Sequence, residues 1–155
     1  MVGRGNAKMV SNHPHDLGGP VLLFDGECGL CNRIVRVLLR LDRGGRLRYA
    51  ALQGVAAQGF LRANGLPTED FDSLIFVREW AVGGVGEFQM RTDGAIGALR
   101  AVGGGGRVLA ALLAVWPAAW RDAGYRLVAR WRYRIFGEWR PRPLGRAEWA
   151  ARFLK

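Results

Sequence analysis

Residues 21–32 read VLLFDGECGLCN and hold the only two cysteines of the chain, Cys28 and Cys31. The apolar run at the start is typical of a buried strand, and a helical pattern follows Asn32. Dithiol chemistry needs this arrangement, because a helix N-terminus supplies partial positive charge and free N–H groups to a thiolate. The spacing also puts both sulfurs within reach of one disulfide. The stretch therefore predicts a redox-active dithiol.

Three residues of this stretch have predicted chemical roles. Cys28 lies nearest the helix N-terminus as the outer cysteine, so we predict that it is the lower-pKa nucleophile. Cys31 lies one turn further and would resolve the mixed disulfide. Asp25, at the end of the strand, is the candidate proton acceptor or relay for the resolving thiol. The alternatives are two buried structural thiols and a turn role for Asp25.

Hydrophobic periodicity and turn residues predict the remaining elements. The apolar stripe of Ile34, Val35, Leu38 and Leu39, opposite a row of arginines, predicts an amphipathic helix that stops at Gly44-Gly45. The other predicted elements, in order, are a strand at 46–52, a helix at 55–64, a strand at 73–77, a hairpin partner at 85–90, a helix N-capped by Thr92 and ending near 102, helices at 107–116 and 119–136, and a short helix at 146–154.

This order resembles the thioredoxin-like plan, an α/β fold with a mixed central sheet flanked by helices. We predict a disordered tail at 1–19, a thioredoxin-like core at 20–102 and a helical basic extension at 103–155, packed on the same domain. Enzymes of this plan usually place a cis-proline before the third strand, where this chain has Asp72-Ser73. We therefore predict substrate contacts at Ser73, and at Gly29 and Leu30 between the cysteines.

Positive charge is concentrated near the C-terminus. The net charge is +10, and residues 121–155 contain 10 basic and 3 acidic residues. Such a balance is compatible with an anionic partner, whereas heavy use of arginine also follows from coding bias. We do not expect nucleic-acid binding. The alternative function is a non-enzymatic interaction module that docks a protein or an anionic membrane surface through this basic aromatic region, including Arg130, Arg132 and Arg134.

Several other classes of function are disfavoured by the sequence. No apolar run reaches the roughly 18 residues of a membrane helix, and the N-terminus lacks a secretory signal pattern, so we expect a cytoplasmic protein. His13 and His15 would complete a Cys₂His₂ zinc set with the two cysteines, but both lie in the tail, so no metal is predicted. No bound cofactor is predicted either.

The same stretch resembles the signature of the DCC family, small proteins predicted to be thiol–disulfide oxidoreductases. Further motifs match in order: Leu52-Gln53, Gly65-Leu66-Pro67, Asp72-Ser73-Leu74, Arg121-Asp122, Tyr125, Ala129-Arg130, Arg132-Tyr133, Phe136-Gly137 and Arg152-Phe153-Leu154. The resemblance spans about residues 20 to 154. Two departures are Trp131, where the family usually has Asn, and the lack of a further cysteine within 138–143. A role for a third thiol is thereby excluded.

The resemblance implies thiol–disulfide exchange through Cys28 and Cys31. The expected substrate is a disulfide-containing protein or a small-molecule thiol. Electrons would come from another dithiol protein or a small thiol, with no cofactor.

Overall fold

The computed structural model describes residues 18–81 and 84–155 and is built around a five-stranded mixed sheet. The strands are β1 (Val21–Phe24), β2 (Arg48–Ala51), β3 (Ile75–Val77), β4 (Phe88–Met90) and β5 (Phe153–Leu154). Their order across the sheet is β4-β3-β1-β2-β5. β2 pairs in parallel with both β1 and β5, whereas β3 pairs antiparallel with β1 and β4. The strand that leads into the CxxC pair is thus the central one.

Six helices complete the described part of the chain. They are α1 (Gly29–Leu41), α2 (Val55–Ala63), α3 (Arg91–Val102), α4 (Gly105–Ala114), α5 (Ala118–Phe136) and α6 (Ala147–Ala150). The amphipathic pattern of α1 explains its packing, since Val35, Leu38 and Leu39 are buried while Arg33 and Arg40 are exposed. Ile34, which the pattern placed in the apolar stripe, is 37% exposed.

The sheet is buried on both faces, which explains why β1 is apolar throughout. Leu22 and Phe24 point into a cluster formed with α1 and α3. Val21 and Leu23 point to the opposite face, into a cluster that includes α2. This two-sided core holds the C-terminal end of β1, and hence the CxxC pair, in a fixed place.

The mixed α/β, thioredoxin-like architecture and the C-terminal helix are confirmed. Two local predictions were wrong. Residues 146–154 form not one helix but α6 followed by β5, because backbone pairing with β2 fixes the last residues. Thr92 is not an N-cap, because α3 already begins at Arg91 and the Thr92 hydroxyl donates to Asp122 at 3.3 Å.

Residues 1–17, and with them most of the predicted tail, lie outside the described residues. Among residues 18–81 and 84–155, no helix combines the length and apolarity needed to cross a bilayer. The described residues contain no cis peptide bond, so the peptide before Ser73 is trans.

Candidate active site

Cys28 is the N-cap residue of α1, placed there by a turn that follows β1. Its N–H donates to the Asp25 carbonyl at 3.3 Å, and its Sγ accepts the N–H of Cys31 at 3.4 Å. An N-cap side chain normally accepts one of the unpaired N–H groups of the first helical turn. Here a sulfur takes that role. Local structure thus directs positive backbone dipoles at the first cysteine.

The two thiols have opposite acidities. Hydrogen bonding from the Cys31 side chain, with further help from the Cys31 and Leu30 N–H groups and the charge of Arg132, lowers the pKa of Cys28 to about 6 against the opposing effect of burial. The same hydrogen bond to Cys28, together with burial, raises the pKa of Cys31 well above its usual range. One thiolate and one thiol at neutral pH is the state expected of a nucleophile beside its resolving partner.

Asp25 is buried at the end of β1, where both carboxylate oxygens accept hydrogen bonds. Oδ1 accepts the N–H of Glu27 at 3.0 Å and the side-chain amide of Gln53 at 2.8 Å. Oδ2 accepts from Arg132 at 3.4 Å and from the Tyr133 hydroxyl. Asp25 therefore has the predicted turn role and also lies beside the dithiol. One carboxylate accepts the N–H of Glu27 in the turn and a hydrogen bond from Arg132.

Arg132 is a residue of the candidate site that the sequence did not predict there. Its Nη1 donates to the Cys31 Sγ at 3.4 Å, and its Nη2 donates to Asp25 and to the Phe71 carbonyl. The sequence analysis placed Arg132 with Arg130 and Arg134 in a basic docking region at the surface. That prediction was wrong for Arg132, because its side chain is buried. The only signal in the sequence was its place in the Arg-Tyr pair matched to the family signature.

A short segment from the C-terminal half covers the dithiol. Gly137, at a φ of 65°, turns the chain after α5, and residues 137–139, which we call the strap, pair antiparallel with the CxxC loop. The Gly29 N–H donates to the Gly137 carbonyl at 3.1 Å, and the backbone N–H of Trp139 donates to the backbone carbonyl of Glu27 at 2.7 Å. Cys28, between these two bonds, is 0% exposed. The predicted outer cysteine is therefore the more deeply buried of the two.

The candidate substrate contacts are differently placed. Gly29 is under the strap, where a Cβ would lie 2.6 Å from the Phe136 carbonyl oxygen. Leu30 is half-buried and lines a cavity together with Cys31. Ser73 is buried, donates to Asp72 at 2.8 Å and lines a different cavity from the one that Cys31 lines.

Two cavities meet at Arg132. On one side is a polar cleft of about 720 Å³, whose wall includes Asp25, Glu69 and Asp70. On the other side is an apolar cavity of about 310 Å³, whose wall includes Leu30 and Cys31. Arg132 thus lies between an acidic cleft and an apolar space beside Cys31.

The zinc alternative has no counterpart in the described part of the chain. His13 and His15 lie outside residues 18–81 and 84–155, and within those ranges no three His, Cys, Asp or Glu side chains cluster in a way that would hold a metal ion.

Comparisons with known proteins identify the family of this chain. The family model of the DCC1-like thiol-disulfide oxidoreductases matches residues 22–138, a range that includes both cysteines and Arg132. The uncharacterized protein YuxK of Bacillus subtilis is 36% identical over 118 residues, which are 76% of this chain and 81% of that protein. A chloroplastic DCC family protein of Arabidopsis thaliana is 30% identical over 118 residues, 76% of this chain and 65% of that one. No solved structure gives a significant match. The chain therefore belongs to the DCC1-like thiol-disulfide oxidoreductase family.

Proposed function

We propose that the protein exchanges disulfides through Cys28 and Cys31. The observation that carries the proposal is the asymmetry of the two thiols: Cys28 accepts hydrogen bonds at a helix N-terminus and has its pKa lowered to about 6, while the pKa of Cys31 is raised. Two structural thiols need no such difference. A stabilised thiolate is the form that attacks a disulfide.

In the first step, the Cys28 thiolate attacks one sulfur of a substrate disulfide. A mixed disulfide forms, and the substrate's other sulfur leaves as a thiolate that takes a proton from water. This step removes the negative charge and the hydrogen-bond acceptor of Cys28, which are two of the causes that raise the pKa of Cys31. Arg132, which donates to the Cys31 sulfur, then favours the second thiolate.

In the second step, Cys31 loses its proton and its thiolate attacks the Cys28 sulfur. The substrate's first sulfur leaves reduced, and a Cys28–Cys31 disulfide remains. The chain has then lost two electrons, and a second dithiol protein or a small thiol restores them. The reverse sequence would oxidise a dithiol substrate.

We propose that Asp25 acts in this cycle through Arg132. Its oxygens already accept four hydrogen bonds, so the carboxylate is better suited to hold the guanidinium against the Cys31 sulfur than to take a proton itself. A relay role predicts that Asp25→Asn slows only the resolving step. A positioning role predicts that the variant also changes the pKa of Cys28, because Arg132 is released.

Attack at Cys28 requires the strap to move, because the residue has no exposed surface. Gly29, Leu30 and Ser73 stay proposed substrate contacts, with Gly29 accessible only after the strap opens. The proposed substrate is a disulfide-containing protein or small disulfide. A cytoplasmic location stays part of the proposal and rests on the sequence alone.

A redox titration tests the proposed function directly. The purified protein is equilibrated in graded thiol–disulfide buffers, free thiols are trapped, and the intact protein is weighed. We expect a single two-electron transition that Cys28→Ser abolishes, and its midpoint indicates the direction of transfer. If both thiols stay reduced in every buffer, or react only after unfolding, the pair is structural and the proposal fails.

A further inference from the structure

The end of α4, the connection that follows and the start of α5 form an exposed apolar tip. Residues 111–120 read ALLAVWPAAW, contain no charged side chain and are all exposed. Leu112, Trp116 and Trp120 are 61%, 57% and 68% exposed, and the two indole rings lie 6.2 Å apart. An uninterrupted apolar surface of this kind is unfavourable in water and marks an interaction site.

The apolar surface continues along α5 beside a row of positive charge. Two parallel rows at four-residue spacing are exposed on this helix: the apolar row Leu127, Trp131 and Ile135, and the basic row Arg126, Arg130 and Arg134. The Arg134 guanidinium lies 5.3 Å from the centre of the Trp131 ring. Apolar and aromatic side chains flanked by arginine are typical of helices that lie in a membrane interface.

The charge of the two helices limits what can cover this surface. α4 and α5 contain six arginines and one carboxylate, Asp122. Arg121 pairs with Asp93 and Arg132 with Asp25, whereas Arg107, Arg126, Arg130 and Arg134 are exposed. A second copy packed here by two-fold symmetry would bring like charges together. The complementary partner is anionic.

We propose that this docking face, formed by residues 107–120 and the exposed rows of α5, binds the surface of an anionic lipid bilayer. The uncharged tip enters the boundary between headgroups and acyl chains. Trp116 and Trp120 lie at the level of the headgroups, where amphipathic indole rings are favoured. The exposed arginines bind lipid phosphates, and their aliphatic stems stay against the apolar surface.

The docking face is continuous with the dithiol site. Leu113 and Val128, both exposed, also line the apolar cavity whose wall includes Cys31 and Arg132. A protein bound to lipid through this face would therefore hold its dithiol close to the bilayer. Docking does not require thiol chemistry, so its test is independent of the proposed function.

Vesicle co-sedimentation of the full chain tests the inference. We expect at least tenfold stronger partition onto vesicles of phosphatidylglycerol and phosphatidylcholine in equal parts than onto phosphatidylcholine alone. Partition should fall as salt is raised, because the electrostatic contribution is screened. The double substitution Leu112→Glu and Trp116→Glu should weaken binding to anionic vesicles more than tenfold. Cys28→Ser should bind as the unaltered protein does.

The control for added negative charge is Val55→Glu, which places one carboxylate, against two in the double variant, on an apolar residue that is 84% exposed at the start of α2, away from the docking face. It should leave partition unchanged, and circular dichroism should show both variants folded. The inference is overturned if the protein ignores anionic vesicles, if the double variant binds normally, or if Val55→Glu loses as much. It is also overturned if sedimentation velocity shows a dimer that the double variant abolishes, because a second copy then covers the face.

Discussion

At the scale of single residues, the site depends on two sulfurs in similar surroundings that hold their protons very differently. Both are buried and both lie in the field of Arg132, yet only Cys28 occupies the N-cap position. Its sulfur accepts the Cys31 N–H, and the Arg132 guanidinium is hydrogen-bonded to the second sulfur. The difference in acidity therefore comes first from the hydrogen bond between the two thiols, which lowers the pKa of Cys28 and raises that of Cys31. The backbone N–H groups at the helix N-terminus and the charge of Arg132 lower the pKa of Cys28 further.

The acidity of Cys28 leads to the first prediction. Its pKa of about 6 means that the thiolate, measured by its ultraviolet absorbance, should form with a midpoint near pH 6. The thiol of an ordinary cysteine has a pKa of about 8.5. Cys31 should add no second transition below that value, because its pKa is raised. Cys28→Ser should abolish the transition, and a midpoint above about pH 8 in the unaltered protein would contradict the assignment.

The role of Arg132 is tested by Arg132→Met, which keeps an unbranched side chain and removes the charge. We expect the Cys28 midpoint to rise by about one pH unit, the lower end of the effect of a neighbouring opposite charge. The reduction potential should fall, because the reduced form loses stabilisation of its thiolate. Arg130→Met, two residues away on α5 and exposed, is the matched control. Equal Cys28 midpoints in the two variants would mean that the charge of Arg132 does not lower the pKa of Cys28.

The limits of sequence reasoning are clearest at this scale. Cys28, Cys31 and Asp25 could be found because they lie within seven residues at the end of one strand, and local spacing fixes their neighbourhood. Arg132 lies 101 residues beyond Cys31 and 107 beyond Asp25. It is one of 10 basic residues in the last 35 positions, and helical periodicity gives nothing that separates it from its solvated neighbours. Only the packing of α5 against α1 selects it.

At the scale of elements, the strap lies over the CxxC loop, and in the proposed mechanism it must open before Cys28 reacts. It is held by two backbone hydrogen bonds to the CxxC loop and by the Arg36 guanidinium, which lies 5.1 Å from the centre of the Trp139 ring. The Gly137 N–H also donates to the Tyr133 carbonyl at the end of α5, but among the described residues the strap joins no sheet ladder beyond this isolated bridge. Segments with so few bonds open locally at a small cost in free energy.

The strap is tested by Trp139→Ala. Loss of a cation–π contact of about 1 kcal/mol shifts the opening equilibrium roughly fivefold, so alkylation of Cys28 should accelerate by at least that factor. Trp120→Ala removes the same ring type at the other end of α5, where the side chain is 68% exposed, and should leave the rate unchanged. An unaltered rate for Trp139→Ala would mean that the nucleophile is reached by another route.

Helices and strands were predicted correctly where the hydrophobic pattern repeats along the chain. The predictions were wrong where contacts with distant residues determine the structure. The 13 residues of α1 repeat their apolar stripe over three turns, so the sequence alone identifies that helix. β5 has two residues, too few for any alternation, and exists because Tyr49 and Ala50 of β2 provide an open edge. The Thr92 cap failed for the same reason, since the hydroxyl found a partner on α5 rather than in its own helix.

At the scale of the whole molecule, the C-terminal part of the chain returns twice to the N-terminal part, once at the dithiol and once at the sheet. α5 delivers Arg132 and the strap to the dithiol, and the last residues add an edge strand to the sheet. The C-terminal part is therefore built into the site and into the sheet rather than attached to a finished core. Substitutions near the C-terminus should accordingly change the stability of the entire fold.

That expectation is sharpest at Arg152, which anchors β5 to the end of α1. Its Nη1 donates to the carbonyl of Asp42 at 3.1 Å and to its carboxylate at 3.3 Å, and Asp42 is 0% exposed. Arg152→Met leaves this buried carboxylate with backbone donors only, so the free energy of unfolding in urea should fall by about 3 kcal/mol. Arg146→Met removes an ion pair with Glu148 in which both side chains are exposed, and should cost less than about 1 kcal/mol. A similar small loss in both variants would show that the C-terminal strand is dispensable, whereas a large loss at Arg152 alone makes it part of one cooperative unit.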